Sequence, residues 1–278
     1  MRHSPLQTPS ERLHALGLRP KKSWGQNFLS DDAALSAIAE ATRATEGDVV
    51  VELGPGLGHL TWHLAATGAR VVAVERDRDM VKAMADLALP NVEVVEGNAV
   101  TVNFKEAAKA EQVIVAGNLP YHLTSPILFA VLEQAAHVRR AVFTVQAEVA
   151  DRLAAPPGGR DYGLLTVLLG LRFFVEETDR LPRELFHPPP NVDSAVLLLE
   201  RLEQPRAPIT DELRFRRVVK AAFAQRRKTV ANSLKRDKGL WEKESAESAL
   251  ERAGIDARRR AETLSVEEFA ALERALRL

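Results

Sequence analysis

The sequence contains no cysteine, which excludes disulfide bonds and metal sites built on thiolate ligands. No apolar run approaches the roughly 18 to 20 residues that cross a bilayer, and the N-terminus lacks the apolar core of a signal peptide. We therefore expect a cytoplasmic protein with no membrane partner. An excess of one charge is also missing, because 38 Lys and Arg residues balance 38 Asp and Glu residues. This balance argues against indiscriminate binding of nucleic acid.

Histidine is sparse and scattered along the chain. Of the seven His residues, His59 and His63 are spaced four apart on a predicted helix. No Asp or Glu is placed to complete a metal site with them. We therefore expect both side chains on the surface and predict that the protein holds no metal.

Short β-branched runs alternate with amphipathic stretches, a pattern typical of parallel strands joined by right-handed helical crossovers. The predicted strands are residues 49–53, 70–75, 92–95, 112–116 and 140–146, and the predicted helices are residues 59–66, 77–88, 124–135, 147–154 and 163–172. Capping signals predict further helices that begin near Thr8, Asp31, Asp211 and Ser265. The Pro-containing segment 204–208 is typical of a linker. We predict an α/β fold, with an N-terminal extension and main domain over residues 1–203 and a small helical domain over residues 204–278.

A glycine-rich turn follows the first predicted strand and contains Gly54, Gly56 and Gly58. Glycines there let the backbone approach a nucleotide, and the next helix can receive negative charge. The second strand ends in Glu75, where a carboxylate can accept hydrogen bonds from ribose hydroxyls. NAD would fit these features as well. The glycine spacing differs from G-x-G-x-x-G, however, and Glu52 precedes the turn, so the pattern favours S-adenosylmethionine, whose sulfonium and amino-acid tail suit nearby negative charge.

The tetrapeptide at residues 118–121 follows a buried run where a strand should end, and open α/β sheets present their reactive groups there. The carboxamide of Asn118 and the carbonyl of Leu119 can accept the N–H groups of an adenine N6 amine. Pro120 holds the preceding backbone extended, and Tyr121 can stack on the base. Such neutral acceptors favour catalysis by positioning of the amine, without a general base. Taken alone, the tetrapeptide also fits an ordinary strand-ending turn.

Five motifs in order along the chain closely resemble those of the KsgA (RsmA) family, whose members dimethylate adenines of small-subunit ribosomal RNA. The motifs are residues 22–29, 52–58, 118–121, 186–196 and 225–229. The resemblance implies a class I S-adenosylmethionine-dependent methyltransferase fold, which is Rossmann-like with a mixed seven-stranded sheet. It implies that residues 195–199 pair with another late strand of that sheet. The Erm methyltransferases, which act on large-subunit RNA, share part of the pattern, but the last motif favours KsgA.

The resemblance also assigns the cofactor site. It implies that Asn27 and Leu29 close over the cofactor, that Gly54 lies at its methionine end and that Glu75 lies at its ribose. Asn118 would contact both the cofactor and the target amine, which makes it the central residue of the expected site.

Two further positions follow from the resemblance. Phe186 resembles the family aromatic that stacks on the target base opposite Tyr121, and a core position at a domain edge is the alternative. Asn98 departs from the family, which usually has Asp against the cofactor adenine. Its Oδ1 can still accept from the adenine amine and its NH₂ adds a donor, so we expect binding with somewhat weaker affinity.

Positive charge is concentrated in the C-terminal part, where an amphipathic stretch precedes Arg226, Arg227 and Lys228. We predict that these three residues contact RNA phosphates. The resemblance to the KsgA family implies dimethylation of the N6 amines of two adjacent adenosines near the 3′ end of 16S ribosomal RNA in the small subunit, with a role in ribosome biogenesis, and we expect a monomer. The alternatives are an Erm-like or other nucleic-acid adenine N6-methyltransferase, and a non-catalytic ribosome-assembly factor of the same fold.

Overall fold

The computed structural model describes residues 4–225, 227–240 and 245–276. Its strands are β1 (Phe28–Leu29), β2 (Val49–Leu53), β3 (Arg70–Glu75), β4 (Val92–Glu96), β5 (Val113–Asn118), β6 (Val138–Gln146), β7 (Phe173–Leu181), β8 (Phe186–His187) and β9 (Ser194–Arg201). Its helices are α1 (Pro9–Ala15), α2 (Asp32–Ala41), α3 (His59–Ala66), α4 (Arg78–Ala85), α5 (Phe104–Ala108), α6 (Thr124–Glu133), α7 (Ala147–Ala154), α8 (Leu164–Arg172), α9 (Glu212–Phe223), α10 (Val230–Leu234), α11 (Ala246–Arg252) and α12 (Val266–Ala275). Single 3₁₀ turns occur at Lys22–Trp24, Tyr121–Leu123, Arg183–Leu185, Lys238–Leu240 and Ala261–Thr263.

In the described part of the chain, seven strands form one mixed sheet in the order β4-β3-β2-β5-β6-β9-β7. The strands from β4 to β6 are all parallel to their neighbours, and β9 is antiparallel to β6. The predicted mixed sheet of seven strands is therefore confirmed. The direction in which strands are added reverses between β2 and β5. The carboxyl ends of these two strands consequently frame a crevice, which is where open α/β sheets bind ligands.

Burial explains why the central strands have continuous apolar sequences. Val50, Val51, Val72 and Val115 have no solvent exposure, as expected for parallel strands covered on both faces. β4 lies at the edge of the sheet and is only partly buried along its length. Its charged residues are tolerated there because an edge strand has one side open to solvent.

Helix starts follow the capping signals of the sequence. The side chains of Thr8, Asp31, Asp211 and Ser265 each accept a hydrogen bond from a backbone N–H of the first turn, in α1, α2, α9 and α12 respectively. These contacts satisfy N–H groups that have no partner inside the helix. The four predicted helix starts are therefore confirmed.

Some elements lie outside the prediction. α5 is only five residues long, and the two-stranded sheet of β1 and β8 is too short to leave a periodic signal. β7 starts at Phe173 directly after α8 ends at Arg172, so no turn residue marks the boundary between them. The resemblance implied a late partner strand for residues 195–199, and β7 occupies that place next to β9.

The chain divides into two compact units. The first unit comprises Met1–Ala150 and Glu176–Arg201, and the second comprises Asp151–Val175 and Leu202–Leu278. The second unit includes residues 151–175 because α8 packs on α9 and α12. A functional boundary between residues 203 and 204 remains a prediction.

A buried carboxylate organises the second unit. Glu273 on α12 has no side-chain exposure and accepts hydrogen bonds from Thr210 N at 2.9 Å, Asp211 N at 3.1 Å and Arg214 Nε at 2.7 Å. A buried charge is tolerated when it is paired in this way. The network ties the start of α9 to α12.

Candidate active site

The carboxyl ends of β2 and β5 lie beside a cavity of about 100 Å³, which we call the small cavity. Seven predicted site residues line it: Asn27, Leu29, Gly54, Glu75, Asn118, Leu119 and Tyr121. A second, large cavity of about 390 Å³ shares Gly54, Glu75 and Pro120 with the small one and is also lined by Asn98. The structure therefore places the predicted cofactor residues around two adjoining spaces within the first unit.

The glycine turn contributes Gly54 and Gly56 to the lining of the small cavity and Gly54 to that of the large one. Gly54, Gly56 and Gly58 have φ angles of 71°, 55° and 86°, a region that strains other residues. At Gly56 an added Cβ would also lie 2.9 Å from Cε1 of Phe28. At Gly54 an added Cβ would have no heavy atom within 4 Å. The missing side chain of Gly54 thus leaves room for a ligand against the backbone.

Glu75 is held in place by the backbone around it. Its Oε2 accepts from Gly56 N at 3.1 Å, and its Oε1 accepts from Arg76 N and Asp77 N, both at 2.8 Å. Burial raises the pKa of Glu75, whereas these three donors lower it. The three backbone donors orient the carboxylate, and Oε2 keeps a lone pair for a further donor such as a ribose hydroxyl.

Glu52, near the end of β2, also belongs to the site. Its side chain is 1% exposed and lines the small cavity, and its Oε2 has no hydrogen-bond partner among the described residues. Burial raises the pKa of Glu52 to about 8, and the charge of Glu75 adds to the rise. A buried carboxyl oxygen without a protein partner is suited to a cationic group or a hydrogen-bond donor of a ligand. The α-ammonium group of S-adenosylmethionine fits that requirement.

Asn118 ends β5 and is fixed by the N-terminal segment. Its Nδ2 donates to the backbone oxygen of Asn27 at 2.9 Å, which leaves Oδ1 as the acceptor of the amide. Gly117 permits the close approach of β5 to β2, because an added Cβ would lie 2.5 Å from the carbonyl oxygen of Leu53. Sequence reasoning missed Gly117. A glycine inside a buried strand is the signal that can reveal such a close approach.

Leu119 and Tyr121 are also anchored. Leu119 N donates to the carbonyl oxygen of Thr144 at 3.2 Å, and the hydroxyl of Tyr121 lies 2.7 Å from Ser194 Oγ. Burial raises the pKa of Tyr121, so the half-buried ring stays neutral. These contacts fix the backbone that carries the Leu119 carbonyl and one edge of the aromatic ring.

Phe186 is not brought to either cavity. It lies in β8 opposite Leu29, is 3% exposed and packs in an apolar cluster of the first unit. This arrangement corresponds to the core alternative for Phe186. Its stacking on a target base remains a prediction.

Asn98 lines the large cavity but uses part of its hydrogen-bonding capacity internally. Its Oδ1 accepts from Val100 N at 3.0 Å. This contact leaves the NH₂ group as the freer end of the amide for a ligand. An Asp would present a second oxygen in the same place, which is the physical basis for weaker recognition of an adenine amine by Asn98.

The segment before β1 is tied to the loop that follows Glu75. Lys21 Nζ contacts Asp77 Oδ1 at 2.6 Å and Asp79 Oδ2 at 2.8 Å, and Gln26 Nε2 donates to Asp77 Oδ2 at 2.9 Å. Asp77 is buried, so these contacts neutralise and satisfy a carboxylate that burial would otherwise penalise. The segment thereby holds Asn27 against Asn118.

The predicted RNA contacts lie in the second unit. Arg227 and Lys228 are exposed and form no ion pair with a carboxylate of a described residue, and Arg226 lies outside the described residues. Several other basic residues of this unit are paired, including Arg217 with Asp237 and Arg258 with Asp256. Arg227 and Lys228 are therefore available to phosphates in a way that the paired arginines are not.

His59 and His63 are buried, at 8% and 4% exposure, so the expectation of surface positions is wrong. His59 Nε2 lies 2.9 Å from the backbone oxygen of Gln7, and His63 Nε2 lies 2.8 Å from Asp32 Oδ1. Within the described ranges no group of three or more His, Asp or Glu side chains can hold a metal ion. No helix in these ranges combines the length and apolar character needed to cross a membrane.

Known proteins are similar to this chain along most of its length. The family described as "Ribosomal RNA adenine dimethylase" matches residues 17–277. A "Ribosomal RNA small subunit methyltransferase A" of Myxococcus xanthus (strain DK1622) is 64% identical over 271 residues, which cover 98% of this chain and 96% of that protein. A protein of the same name from Geobacter sulfurreducens (strain ATCC 51573 / DSM 12127 / PCA) is 42% identical over 265 residues, covering 94% and 96% of the two chains.

Two solved structures are similar over nearly their whole length. The 23S ribosomal RNA methyltransferase ErmE matches with a TM-score of 0.69 and 29% identity, covering 90% of this chain and 99% of that one. A dimethyladenosine transferase from Plasmodium falciparum matches with a TM-score of 0.74 and 26% identity, covering 88% and 95%. Both similarities extend past the seven-stranded sheet into the C-terminal part.

Proposed function

The chain belongs to the ribosomal RNA adenine dimethylase family, and on that premise we propose that its targets are two adjacent adenosines near the 3′ end of 16S ribosomal RNA, in the small subunit or its precursor. It is an S-adenosylmethionine-dependent enzyme that dimethylates adenine in ribosomal RNA, and its mixed sheet is that of class I methyltransferases. The small-subunit target rests on the shared name of the relatives described above. We further propose that it acts in the cytoplasm as a monomer and contributes to ribosome biogenesis.

The observation that carries the site assignment is the hydrogen bond from Asn118 Nδ2 to the Asn27 backbone oxygen. The bond fixes the plane of the Asn118 amide at the end of β5, beside the small cavity. It also engages the NH₂ group of the amide as a donor. Oδ1 remains as an oriented acceptor. An acceptor at this place can hold an amine next to the cofactor. An amide that rotated freely would instead lose conformational entropy in reaching the transition state, which would slow the reaction.

The target amine needs such acceptors. The lone pair of an adenine N6 amine is delocalised into the ring, so the nitrogen becomes nucleophilic only as it pyramidalises. Asn118 Oδ1 and the carbonyl of Leu119 can accept its N–H groups and favour that geometry. The anchoring of Leu119 N to Thr144 holds the carbonyl in place. After one methyl addition a single N–H remains, and either acceptor can hold it for the second.

The residues around the two cavities fit the cofactor. S-adenosylmethionine, when bound, supplies an electrophilic methyl group on its sulfonium. We propose that Glu75 accepts from the ribose, that Gly54 and Glu52 meet the methionine end, and that Asn98 meets the adenine. Asn27 and Leu29 line the small cavity, and we propose that they close over the bound cofactor and exclude water from the reaction.

Tyr121 and the basic residues act on the RNA. The ring of Tyr121 lines the small cavity and is fixed by its contact with Ser194, so it can stack on a target base without loss of further freedom. We retain Phe186 as a proposed second stacking ring. Arg227 and Lys228, together with Arg226, are proposed to contact phosphates.

The test is mass-spectrometric analysis of small-subunit RNA from cells with and without this protein, with large-subunit RNA as the internal comparison. We expect N6,N6-dimethyladenosine near the 3′ end of 16S ribosomal RNA to disappear with the protein. Loss from large-subunit RNA instead would support the Erm-like alternative. A subunit that assembles poorly but keeps its methylation would support the non-catalytic assembly factor.

A further inference from the structure

The second unit contains a cavity of about 260 Å³ that has no part in the site described above. Its lining includes Leu153, Pro157, Tyr162, Phe174, Arg206 and Glu267. An apolar cavity of about 150 Å³ is enough to hold benzene in another protein, so this one has room for a larger planar ring. Its walls combine aromatic and aliphatic groups with a few polar ones, as ligand sites usually do.

The buried wall of the cavity carries an unsatisfied hydroxyl. Tyr162 is 3% exposed, and its hydroxyl has no hydrogen-bond partner among the described residues. Buried tyrosine hydroxyls usually find a hydrogen-bond partner, because an unpaired buried hydroxyl destabilises the fold. The hydroxyl is therefore a donor and acceptor that lacks its counterpart.

The rim of the cavity is open to solvent and carries an exposed aromatic ring. Phe174 is 48% exposed although it is a large apolar side chain, and Pro157 beside the opening is exposed as well. Arg206 is exposed and donates from Nε to the Gly170 backbone oxygen at 2.8 Å, which leaves the outer guanidinium nitrogens for other acceptors. An exposed ring next to hydrogen-bonding groups suits the stacking of a flat polar molecule.

The charges around the cavity disfavour a simple anion. Burial raises the pKa of Tyr162, and the negative charges of Glu267 and Glu268 raise it further, while Arg206 lowers it. Carboxylates of this kind would repel a phosphate. The first turn of α12 adds the backbone N–H groups of Val266 and Glu267, which have no acceptor within the helix. Donors and acceptors therefore occur together, which matches the mixed edge of a neutral nucleobase.

We propose that this cavity binds one unstacked nucleobase of the RNA substrate, which stacks on Phe174 and turns its polar edge toward Tyr162. The proposal rests on the ribosomal RNA substrate proposed above. Proteins that recognise RNA commonly hold splayed-out bases on aromatic rings and read their edges by hydrogen bonds. The site would add base recognition in the second unit to the phosphate contacts of Arg227 and Lys228.

The test compares the full-length protein with the variants Phe174→Ala and Tyr162→Phe. Leu213→Ala serves as the matched control, because Leu213 is a 76% exposed apolar residue of the second unit outside the cavity. Binding to undermethylated small-subunit RNA is measured at fixed salt, along with cofactor affinity and thermal unfolding. We expect Phe174→Ala to weaken RNA binding about tenfold and Tyr162→Phe about threefold. Cofactor affinity should not change, and Tyr162→Phe should not lower the unfolding temperature.

The outcomes separate this proposal from the proposed function. Weaker RNA binding by both variants at unchanged salt dependence supports a base contact, and photo-crosslinking of RNA to the Phe174 peptide would support it further. RNA affinity that is equal for all four proteins overturns the base site while dimethylation by the parent protein still stands. Loss of stability in Tyr162→Phe would make the hydroxyl a structural group and would also overturn the proposal.

Discussion

The cofactor crevice of the first unit contains buried carboxyl groups, whereas the basic surface of the second unit, which comprises Arg227 and Lys228, carries exposed positive charge. In the crevice, Glu75 is held by three backbone donors, and Glu52 is buried with one oxygen unpaired. In the second unit, Arg214 is paired with the buried Glu273, whereas the exposed Arg227 has no carboxylate partner among the described residues. Burial and hydrogen-bond or ion-pair partners, rather than the number of charges, therefore distinguish charges that stabilise the fold from charges that are available to bind a ligand.

The largest change is expected in the rate of methyl transfer when Asn118 in the cofactor crevice is replaced. Asn118→Ala removes an oriented acceptor while Leu119, Tyr121 and the basic surface remain, so methyl transfer should fall by about 10² to 10³, the scale seen when one preorganised polar group is removed. Unmethylated, monomethyl and dimethyl adenine are followed over time on undermethylated small subunits, with filter binding in parallel.

Asn103→Ala is the control, because it removes an amide that only caps α5. RNA binding should survive both changes. Normal dimethylation by the Asn118→Ala protein would remove Asn118 from the catalytic site.

The second prediction concerns a paired charge that we regard as structural. Glu273→Gln should lower the free energy of unfolding by about 3 kcal/mol, because the guanidinium of Arg214 then loses its buried counterion. The exposed Glu251→Gln is the control. Denaturant titration at several pH values measures both.

The pH dependence of that deficit follows from the hydrogen bonds of Glu273, which hold the pKa of its carboxylate below the usual value despite burial. The contribution of such a group is present above its unfolded pKa of about 4.3 and disappears as the pH falls through the folded pKa. The difference between parent and Glu273→Gln should therefore be constant near neutrality and shrink in acid. A deficit that persists unchanged in acid would contradict the ionic role.

The third prediction concerns the unpaired carboxylate of the crevice. With a pKa of about 8, Glu52 is mostly protonated at pH 6 and must lose its proton to receive a cationic group. Cofactor affinity of the parent protein should therefore rise between pH 6 and pH 8. Glu52→Gln should abolish that rise and weaken binding at the upper end by about 1.5 to 3 kcal/mol.

Calorimetry of cofactor binding in buffers of different ionisation enthalpy also detects the proton that Glu52 releases on binding.

The stability of the ligand-free protein also depends on Glu52. The ligand-free parent should lose stability as the pH rises from about 4.3 to 8, because the unfolded chain releases this proton at lower pH than the folded one. Glu52→Gln should flatten that dependence. Identical pH profiles for the two proteins would remove Glu52 from the cofactor site.

The fourth prediction tests the exposed cations. Replacement of Arg227 and Lys228 by Ala should weaken RNA binding and reduce the slope of log affinity against log salt by about 0.7 to 0.9 for each phosphate that is no longer neutralised. Arg258→Ala is the control, since its exposed guanidinium is already paired with Asp256. Cofactor affinity should stay constant in all variants. An unchanged salt slope would make Arg227 and Lys228 solvated surface residues.

The smallest change is expected in cofactor affinity when Asn98 is replaced. Asn98→Asp keeps the acceptor for Val100 N and replaces the NH₂ group by a second acceptor oxygen. Calorimetry should show cofactor affinity equal to that of the parent or a few times tighter, since a hydrogen bond to a charged acceptor is stronger than one to a neutral acceptor. Clearly weaker binding would indicate that the NH₂ group of Asn98 donates to the cofactor.

Local patterns were sufficient to predict much of this molecule. The strands of the parallel part, the capped starts of four helices, the glycine turn and the strand-ending position of Asn118 all follow from spacing within about ten residues of sequence. Such signals are reliable because backbone conformation and strand burial depend mainly on neighbouring residues and on their periodicity.

Predictions that depended on distant neighbours were less successful. His59 and His63 lie on a helix as expected, yet both are buried, because their partners Gln7 and Asp32 come from the N-terminal segment. The predicted helix over residues 163–172 ends where α8 ends, but β7 was not predicted, because it follows α8 without an intervening turn residue. The placement of Phe186 beside Leu29 arises from pairing between strands far apart in the chain.

The amino-acid sequence alone was sufficient to predict most of the helices and strands, the glycine turn and the candidate residues of the site, because these depend on local conformation and residue type. Which polar groups are held by hydrogen bonds and which lack a partner depends instead on the packing of residues that are far apart in the sequence. The amide of Asn118 is oriented by a residue 91 positions away, Gly117 is required by the carbonyl of Leu53, and the unpaired oxygen of Glu52 exists only because the fold buries it. Hydrogen bonding and desolvation are properties of the packed interior, and no window of sequence contains all the atoms that set them.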